Sequence, residues 1–234
     1  MGLAVRELSG GYGSVPVVRG ATFHVDDGET VAVLGRNGSG KTTLLRGLMG
    51  LLPRCSGSVL LNDRPVDRAS THERARAGIA YVPQGRDIFS ELTVEENLRL
   101  GHVLAGRRMS APLPAELIGR FSWIPERLAQ AGGTLSGGQQ QMLAVMRMLI
   151  AGPQVLLLDE PTEGLAPAII DELADLLADI VASEQMSILV VEQNVAFALR
   201  LARRGYIMDH GEIVAAGTAT ELTSDEMVDQ YLSV

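Results

Sequence analysis

The chain contains a single lysine, Lys41, and it lies inside a glycine-rich segment. The pattern G-x-x-x-x-G-K-[ST] is matched by Gly35, Arg36, Asn37, Gly38, Ser39, Gly40, Lys41 and Thr42. An apolar, β-branched run at 29–34 precedes this segment, and residues 42–49 follow it with helical spacing. A strand, a glycine-rich turn and a helix N-terminus in this order bring consecutive backbone N–H groups to one anion-binding position. The sequence therefore predicts a phosphate site here.

The residue types in this segment favour a nucleotide bound together with a magnesium ion. Lys41 is placed to reach the β- and γ-phosphates. Thr42 is placed to ligate Mg²⁺ through its hydroxyl, because this hard cation prefers oxygen ligands. We expect the next residue, Thr43, to lie at the same site. A GTPase is excluded, because the guanine-specifying N/T-K-x-D motif requires a second lysine.

Charge and composition exclude several other classes of protein. The 234 residues include 20 basic and 28 acidic side chains, a net charge of -8, which argues against a nucleic-acid partner. The one cysteine, Cys55, cannot form an internal disulfide. No apolar run reaches the ~18 residues needed to cross a bilayer, and the first residues lack the apolar region of a signal peptide. We expect a cytoplasmic chain whose membrane contact is supplied by another chain.

Short apolar runs alternate with helical stretches along much of the chain. The runs at 30–34, 155–158 and 188–191 are rich in leucine, isoleucine and valine, and a helical stretch precedes each of the last two. This alternation predicts a largely parallel sheet in an α/β fold. Turn residues at 26–28 predict a connection between strands at 17–25 and 30–34.

A second glycine-bearing segment stands upstream of the run at 155–158. It consists of Leu135, Ser136, Gly137, Gly138 and Gln139, and it opens a stretch of helical spacing. A serine hydroxyl, bare glycine N–H groups and a helix N-terminus can form a further phosphate-binding surface. This pentapeptide is the signature of the ABC ATPases, and the sequence resembles that family over nearly its whole length.

The resemblance implies a fold and a division of the chain. The expected fold is α/β, with the RecA-like core of a P-loop NTPase, an N-terminal antiparallel β-subdomain and an inserted helical subdomain. A single ABC ATPase domain would cover 1–234. The nucleotide-binding core would comprise 1–84 and 153–234, and the helical subdomain 85–152.

The resemblance also implies that two cassettes work together. In the family, each ATP lies between the glycine-rich loop of one cassette and the signature segment of the other. One protomer cannot apply both surfaces to the same ATP. The expected active unit is therefore a dimer, either of this chain with itself or with a homologous ATPase subunit.

Four further residues correspond to functional positions of the family. Asp159 and Glu160 follow the apolar run at 155–158, the usual setting of a Walker B motif. The resemblance gives Asp159 the role of Mg²⁺ ligand and Glu160 that of the general base for the attacking water. Gln84 falls at the family's Q-loop and is expected to contact Mg²⁺ or the water. Tyr12 occupies the place of the aromatic side chain that stacks on adenine.

Two positions depart from the common pattern. Gln193 stands where most ABC ATPases carry a switch histidine. A glutamine can donate and accept hydrogen bonds at the γ-phosphate, where we expect it to act, but it cannot take up a proton. Ala166 stands where an aspartate commonly ends the D-loop, so no carboxylate contact across the dimer is expected from that position.

These departures are typical of one subgroup of the ABC ATPases. The sequence also resembles that subgroup in the segments 82–86, 92–98, 164–167 and 192–194. This subgroup comprises the second ATP-binding subunit of branched-chain amino-acid importers. The ATPase subunits of urea and short-chain amide importers share most of these strings and remain an alternative.

Other ABC ATPases and other ATP-using enzymes fit the sequence less well. DNA-repair members carry long coiled coils between their nucleotide motifs, and translation factors carry two cassettes. A soluble ATPase of iron–sulfur cluster assembly remains open, although its switch position is ordinarily histidine. A small-molecule kinase would leave the signature segment unexplained.

The resemblance finally implies the partners of the chain. They are ATP, Mg²⁺, a second ATPase subunit, two membrane permease subunits and, indirectly, a solute-binding protein. The chain would lie on the inner face of the cell membrane, held there by the permeases. No part of the ATPase subunit would touch the transported solute.

Overall fold

The structure, a computed structural model, describes residues 2–184, 186–224, 227, 231 and 232. The strands within this part of the chain are β1 (Leu3–Gly11), β2 (Val18–Val25), β3 (Thr30–Leu34), β4 (Arg54–Leu61), β5 (Arg64–Pro65), β6 (Ile79–Val82), β7 (Val155–Asp159), β8 (Ser187–Glu192), β9 (Arg204–Asp209) and β10 (Glu212–Thr218). The helices there are α1 (Lys41–Leu48), α2 (Thr71–Ala77), α3 (Val94–Leu104), α4 (Ala115–Ile118), α5 (Trp123–Glu126), α6 (Gly137–Ile150), α7 (Pro167–Glu184), α8 (Val195–Leu201) and α9 (Ala219–Leu222).

The strands form two sheets. A four-stranded antiparallel sheet has the order β2-β1-β4-β5, and a six-stranded sheet has the order β10-β9-β3-β8-β7-β6. Strands β9, β3, β8, β7 and β6 run parallel, and β10 pairs antiparallel with β9. The predicted α/β fold with a largely parallel sheet and an N-terminal antiparallel sheet is confirmed.

The turn predicted at 26–28 joins strands of different sheets. β2 pairs with β1, whereas β3 lies between β8 and β9. The burial of the two strands explains the separation. Every residue of β3 is buried, as suits the centre of a parallel sheet covered on both faces, whereas buried and exposed residues are mixed along β2.

Alternate side chains of the central strands enter two separate hydrophobic cores. In β3, Ala32 and Leu34 pack with residues of α6 and α7, whereas Val31 and Val33 pack with α1 and the antiparallel sheet. This division follows from the two-residue period of a strand, which points successive side chains to opposite faces. The parallel sheet is thereby fixed in a layer between helices and the second sheet.

The segment between β6 and β7 is helical where it is regular. It contains α3 to α6 and a single 3-10 turn at Gly132–Thr134. Gly101 of α3 makes close packing with α6 possible, because a Cβ at this position would lie 2.3 Å from the carbonyl oxygen of Arg147. Within the described residues, no helix combines the length and the apolar character needed to span a bilayer.

A buried arginine anchors the C-terminal end of α1, the helix that follows the glycine-rich loop. Arg74 of α2 is 4% exposed and donates to the carbonyl oxygens of Gly47 and Leu48 at 3.0 and 2.6 Å. It also donates to Ala69 and Asp67. The last carbonyls of a helix lack partners within the helix and carry partial negative charge, so a cation suits them.

We expect Arg74→Met to lower the free energy of unfolding by about 3 kcal/mol, because it leaves buried carbonyl groups without donors. The matched control is Arg76→Met, the same exchange at an exposed position of α2, which should change stability by less than about 0.5 kcal/mol. Urea unfolding of both variants measures the difference. Equal stabilities would contradict this role of Arg74.

Candidate functional site

The glycine-rich loop connects the C-terminal end of β3 to the N-terminus of α1. Gly38 and Gly40 adopt φ values of 80° and 110°, a region that L side chains rarely occupy. Gly35 has no room for a side chain, because a Cβ there would lie 2.3 Å from the carbonyl oxygen of Met208. The glycines that define the motif are therefore required by the backbone path of the loop.

The N-terminus of α1 has no side-chain cap. Helices α2, α3, α6 and α9 each begin with a capping box, whereas Gly40 offers α1 no side-chain acceptor. The first N–H groups of a helix have no partners within it. The buried hydroxyl of Ser39 likewise has no hydrogen-bond partner among the described residues. The loop thus gathers free donors where a phosphate would bind.

Lys41 is buried at the first position of α1, with 3% of its side chain exposed. Its Nζ donates to the carbonyl oxygens of Gly35 and Arg36 at 2.8 and 3.0 Å. Its third partner is the Glu160 carboxylate, whose Oε1 lies 3.0 Å from Nζ. The structure thus joins the glycine-rich loop to the predicted catalytic carboxylate through one ion pair.

Asp159 ends β7 beside the glycine-rich loop. Its Oδ1 accepts a hydrogen bond from the Thr42 hydroxyl at 2.9 Å, and its Oδ2 accepts one from the Tyr81 hydroxyl at 2.8 Å. Burial raises the pKa of Asp159, and the hydrogen bonds from Tyr81 and Thr42 oppose that rise. A carboxylate and a hydroxyl in contact form a set of hard oxygen donors, which suits Mg²⁺.

Glu160 has a left-handed backbone conformation, with φ 44°. Its N–H donates to the carbonyl oxygen of Val191 at 2.9 Å, which ties the turn after β7 to the end of β8. A left-handed conformation costs a residue other than glycine about 1 kcal/mol or more and persists only where the surroundings fix it. The side chain of Glu160 is thereby turned away from the strand direction toward Lys41.

Gln84 follows β6 and contacts the same region in two ways. Its side-chain Nε2 donates to Glu163 Oε2 at 3.0 Å, and its backbone hydrogen-bonds Asp159. The side chain predicted to contact Mg²⁺ therefore lies against Glu163 in this structure. The sequence drew no attention to Glu163 as a partner of Gln84.

Gln193 follows β8 and lines a cavity of about 320 Å³ with Asn37, Glu160, Thr162 and Glu163. The N–H of Gln193 donates to Glu192 Oε2 at 3.0 Å. The predicted switch position and the predicted general base thus lie on one cavity at the carboxyl edge of the parallel sheet.

The signature segment forms the start of α6. Ser136 and Gln139 make a reciprocal capping box, in which Ser136 Oγ accepts from the Gln139 N–H at 3.3 Å and Gln139 Oε1 accepts from the Ser136 N–H at 3.2 Å. A Cβ at Gly137 would lie 2.7 Å from Arg86 Nη1, and one at Gly138 would lie 2.9 Å from Ile169. Among the described residues, no hydrogen bond or ion pair joins this segment to the Lys41 loop.

Tyr12 lies near α1, with 52% of its surface exposed. Its hydroxyl accepts a hydrogen bond from Arg46 Nη1 at 2.9 Å, and the guanidinium carbon lies 5.9 Å from the ring centroid. The ring is therefore accessible to a planar ligand and held by a residue of the helix that begins at Lys41.

Sequence reasoning missed Tyr81 and Glu192. Tyr81 precedes Gln84 by three residues in the same string and lies on β6, which pairs with β7. Glu192 is the one charged residue of β8, which it ends, and it is 2% exposed. The sequence could have indicated Glu192, because a carboxylate at the end of a buried strand is unusual. It could not have indicated Tyr81, because only the strand order brings Tyr81 to Asp159.

Comparisons with known proteins identify the family of the chain. The ABC transporter family model matches residues 18–163. The high-affinity branched-chain amino acid transport ATP-binding protein BraG of Pseudomonas aeruginosa is 38% identical, over 98% of this chain and 99% of its own. The lipopolysaccharide export system ATP-binding protein LptB of Haemophilus influenzae is 34% identical, over 97% of this chain and 94% of its own.

Solved structures give the same result. One described as the ATP binding subunit of an ABC transporter has a TM-score of 0.80 at 30% identity and covers 95% of this chain and 92% of its own. A nucleotide-free ATP-binding cassette of an ABC transporter has a TM-score of 0.83 at 23% identity, with 97% of each chain covered, and at this identity it supports the fold alone. The chain belongs to the ABC transporter family as an ATP-binding subunit, the class of subunit that hydrolyses ATP.

Proposed function

We propose that this chain hydrolyses ATP to drive an ABC importer, with branched-chain amino acids as the transported solute. The contact of Glu160 with Lys41 at 3.0 Å supports the catalytic part of the proposal, because the residue we propose as the base lies beside the lysine we propose binds phosphate. The solute is suggested by the similarity to BraG and to a probable branched-chain amino acid transport protein, LivF of Archaeoglobus fulgidus, which is 35% identical over 96% of this chain and 95% of its own. Urea or short-chain amides are the alternative solutes.

Phosphate binding in this account uses Lys41 and the uncapped N-terminus of α1. The triphosphate would accept hydrogen bonds from the first N–H groups of the helix and from the Lys41 ammonium, which would exchange Glu160 for an anionic oxygen. Tyr12 would stack on the adenine ring through the face that the Arg46 guanidinium does not cover, since 52% of the residue is exposed. These groups bind and orient the nucleotide.

Thr42 and Asp159 would hold Mg²⁺, because their adjacent oxygens are the donors that this ion prefers. The bound ion would neutralise negative charge on the phosphates. Tyr81, which donates to the other carboxylate oxygen, would fix the direction in which Asp159 presents Oδ1. Gln84 would enter this set only after leaving Glu163.

Glu160 would act as the general base of hydrolysis. A water would attack the γ-phosphorus and transfer a proton to Glu160, while the bond from that phosphorus to the leaving ADP oxygen breaks. Gln193 and Asn37, which line the same cavity, would orient the water and the γ-phosphate through hydrogen bonds. A glutamine at the switch position leaves Glu160 as the proton acceptor.

Two cassettes would be needed to complete each site. The Ser136 hydroxyl is exposed at the start of α6, and no polar contact links it to the Lys41 loop within the described part of the chain. The signature segment of a second cassette would supply a helix N-terminus to the γ-phosphate from the opposite side. Closure of the dimer around ATP, and its release after hydrolysis, would move the permeases.

We propose 85–152 as a helical subdomain that meets the permeases beside the core. A cleft of about 390 Å³ lies between α2, β6 and the ends of α3 and α6. The exposed apolar side chains that line this cleft are Leu51 and Leu104. These apolar groups line the same cleft as β6, the strand that leads to Gln84. Exposed apolar groups in such a cleft favour an amphipathic segment of a membrane partner as its ligand.

We expect Glu160→Gln to leave ATP affinity within about twofold and to slow hydrolysis by roughly 10²- to 10⁴-fold, the usual contribution of a general base. Single-turnover hydrolysis and nucleotide titration measure the two quantities. The control is Glu172→Gln on the exposed surface of α7, which should leave both unchanged. Unchanged turnover in Glu160→Gln would remove Glu160 from the role of base.

We expect Thr42→Val to raise the Mg²⁺ concentration required for half-maximal hydrolysis by about 10-fold or more, because it removes the hydroxyl that contacts Asp159 while keeping the shape of the side chain. Thr42→Ser, which keeps the hydroxyl, should stay close to the unchanged protein. Magnesium titration of ATP hydrolysis distinguishes the two variants. An identical magnesium requirement in all three proteins would contradict the assignment of Thr42.

Purification of the Glu160→Gln protein from its native cells tests the transport proposal. The protein would be trapped with ATP, extracted in detergent and analysed by mass spectrometry for bound chains. Two permeases and a second ATPase would support the importer, and the accompanying binding protein would then be tested with leucine and with urea. Recovery of lipopolysaccharide-export or iron–sulfur assembly proteins would overturn the proposed import function and leave the ATPase chemistry intact.

A further inference from the structure

Glu192 is a buried carboxylate to which the proposed mechanism gives no role. It ends β8, is 2% exposed, and forms no salt bridge among the described residues. Burial raises the pKa of Glu192, and hydrogen bonds from Thr162, Asn194 and Gln193 oppose that rise. A buried carboxylate without a cation is costly unless donors surround it, so its hydrogen bonds indicate what it does.

The two oxygens of Glu192 bind two different segments of the chain. Oε1 accepts from the N–H and the hydroxyl of Thr162 at 3.0 and 2.7 Å. Oε2 accepts from the N–H groups of Gln193 and Asn194 at 3.0 and 2.9 Å. One carboxylate therefore bridges the turn after β7 and the turn after β8.

Each of these turns carries a residue of the proposed chemistry. The turn after β7 contains Glu160, whose left-handed backbone is held at its start by the hydrogen bond to Val191 and two residues later by Glu192 through Thr162. The turn after β8 contains Gln193, which Glu192 holds through its backbone N–H. The bridge thus links the turns that carry Glu160 and Gln193, at the wall of the cavity that both residues line.

We propose that Glu192 is a positioning residue that sets Glu160 and Gln193 for attack on the γ-phosphate. The proposal rests on the proposed function, in which Glu160 is the general base. It extends that function by assigning the geometry of the base to a residue outside the nucleotide motifs. Displacement of a reacting group by about 1 Å can cost about 10²-fold in rate, so the bridge acts on the rate of hydrolysis.

Only a carboxylate satisfies this bridge. All four groups that face the side chain of Glu192 donate hydrogen bonds. A carboxylate is purely an acceptor, whereas a glutamine would turn its NH₂ toward two of these donors. Glu192→Gln therefore keeps the size of the side chain and breaks one side of the bridge.

The test compares Glu192→Gln with Glu221→Gln. Glu221 accepts the same pair of bonds from a threonine, the N–H and the hydroxyl of Thr218 at 2.7 and 2.8 Å, but it lies at the start of α9, outside the site. We expect Glu192→Gln to lower kcat by about 10- to 100-fold with KM for ATP within about twofold. Glu221→Gln should change neither value. A normal kcat in Glu192→Gln would overturn the proposal.

A second pair of variants decides the question if Glu192→Gln does not fold. Thr162→Val removes one of the two bonds to Oε1 and should lower kcat with KM nearly unchanged, and Thr162→Ser should restore kcat because it restores the hydroxyl. Equal values of kcat in the two variants would overturn the proposal.

A double variant separates this proposal from the proposed function. Because Glu192 acts through Glu160, adding Glu192→Gln to Glu160→Gln should slow single-turnover hydrolysis little beyond Glu160→Gln alone. Independent, multiplied losses would overturn the positioning role. If Glu160→Gln hydrolysed ATP at the normal rate, the proposed role of Glu160 would fail instead, whatever the result at Glu192.

Discussion

The buried ammonium of Lys41 is the feature on which the site depends. It lies at the N-terminus of α1, where the helix dipole is positive and a cation is unfavourable. Two loop carbonyls and the Glu160 carboxylate offset this unfavourable position. The loop therefore encloses the positive charge of Lys41 and free helix N–H groups, and the Glu160 carboxylate neutralises this charge. An anionic phosphate would take the place of the Glu160 carboxylate beside Lys41, and Glu160 would then be free to act as the base.

The parallel sheet positions the other residues of the site close to Lys41. β3, β6, β7 and β8 end at one edge, and their last residues or the turns after them supply Lys41, Gln84, Asp159, Glu160 and Gln193. Hydrogen bonds then join neighbouring strand ends, from Tyr81 to Asp159 and from Thr162 to Glu192. Ligand sites at the carboxyl edge of an open α/β sheet are the general case. Here the edge holds both Lys41, which we propose binds phosphate, and Glu160, which we propose is the base.

Most of the elements that carry the site residues were predictable from the sequence, because each of these is encoded by a local motif. The Lys41 loop, the strand before Asp159 and the helix after Ser136 each depend on neighbouring residues, and the family match confirms the class of protein. The contacts between motifs were not predictable in the same way. Thr42 and Asp159 are 117 residues apart, and only the family resemblance brought them together as expected magnesium ligands. Tyr81 and Asp159 are 78 residues apart, and only the strand order joins them. The motifs at the site do not distinguish one transported solute from another, and relatives named for amino acid transport and for lipopolysaccharide export are 38% and 34% identical to the chain.

The most direct measurement is a crystal structure of the protein with Mg²⁺ and a non-hydrolysable ATP analogue. The account predicts that Lys41 Nζ leaves Glu160 and lies within hydrogen-bonding distance of the β- and γ-phosphates. Thr42 and Asp159 would then face the metal ion, and the Glu160 carboxylate would face a water in line with the γ-phosphorus. A structure in which the nucleotide is bound while Lys41 stays paired with Glu160 would contradict the proposed roles of Lys41 and Glu160.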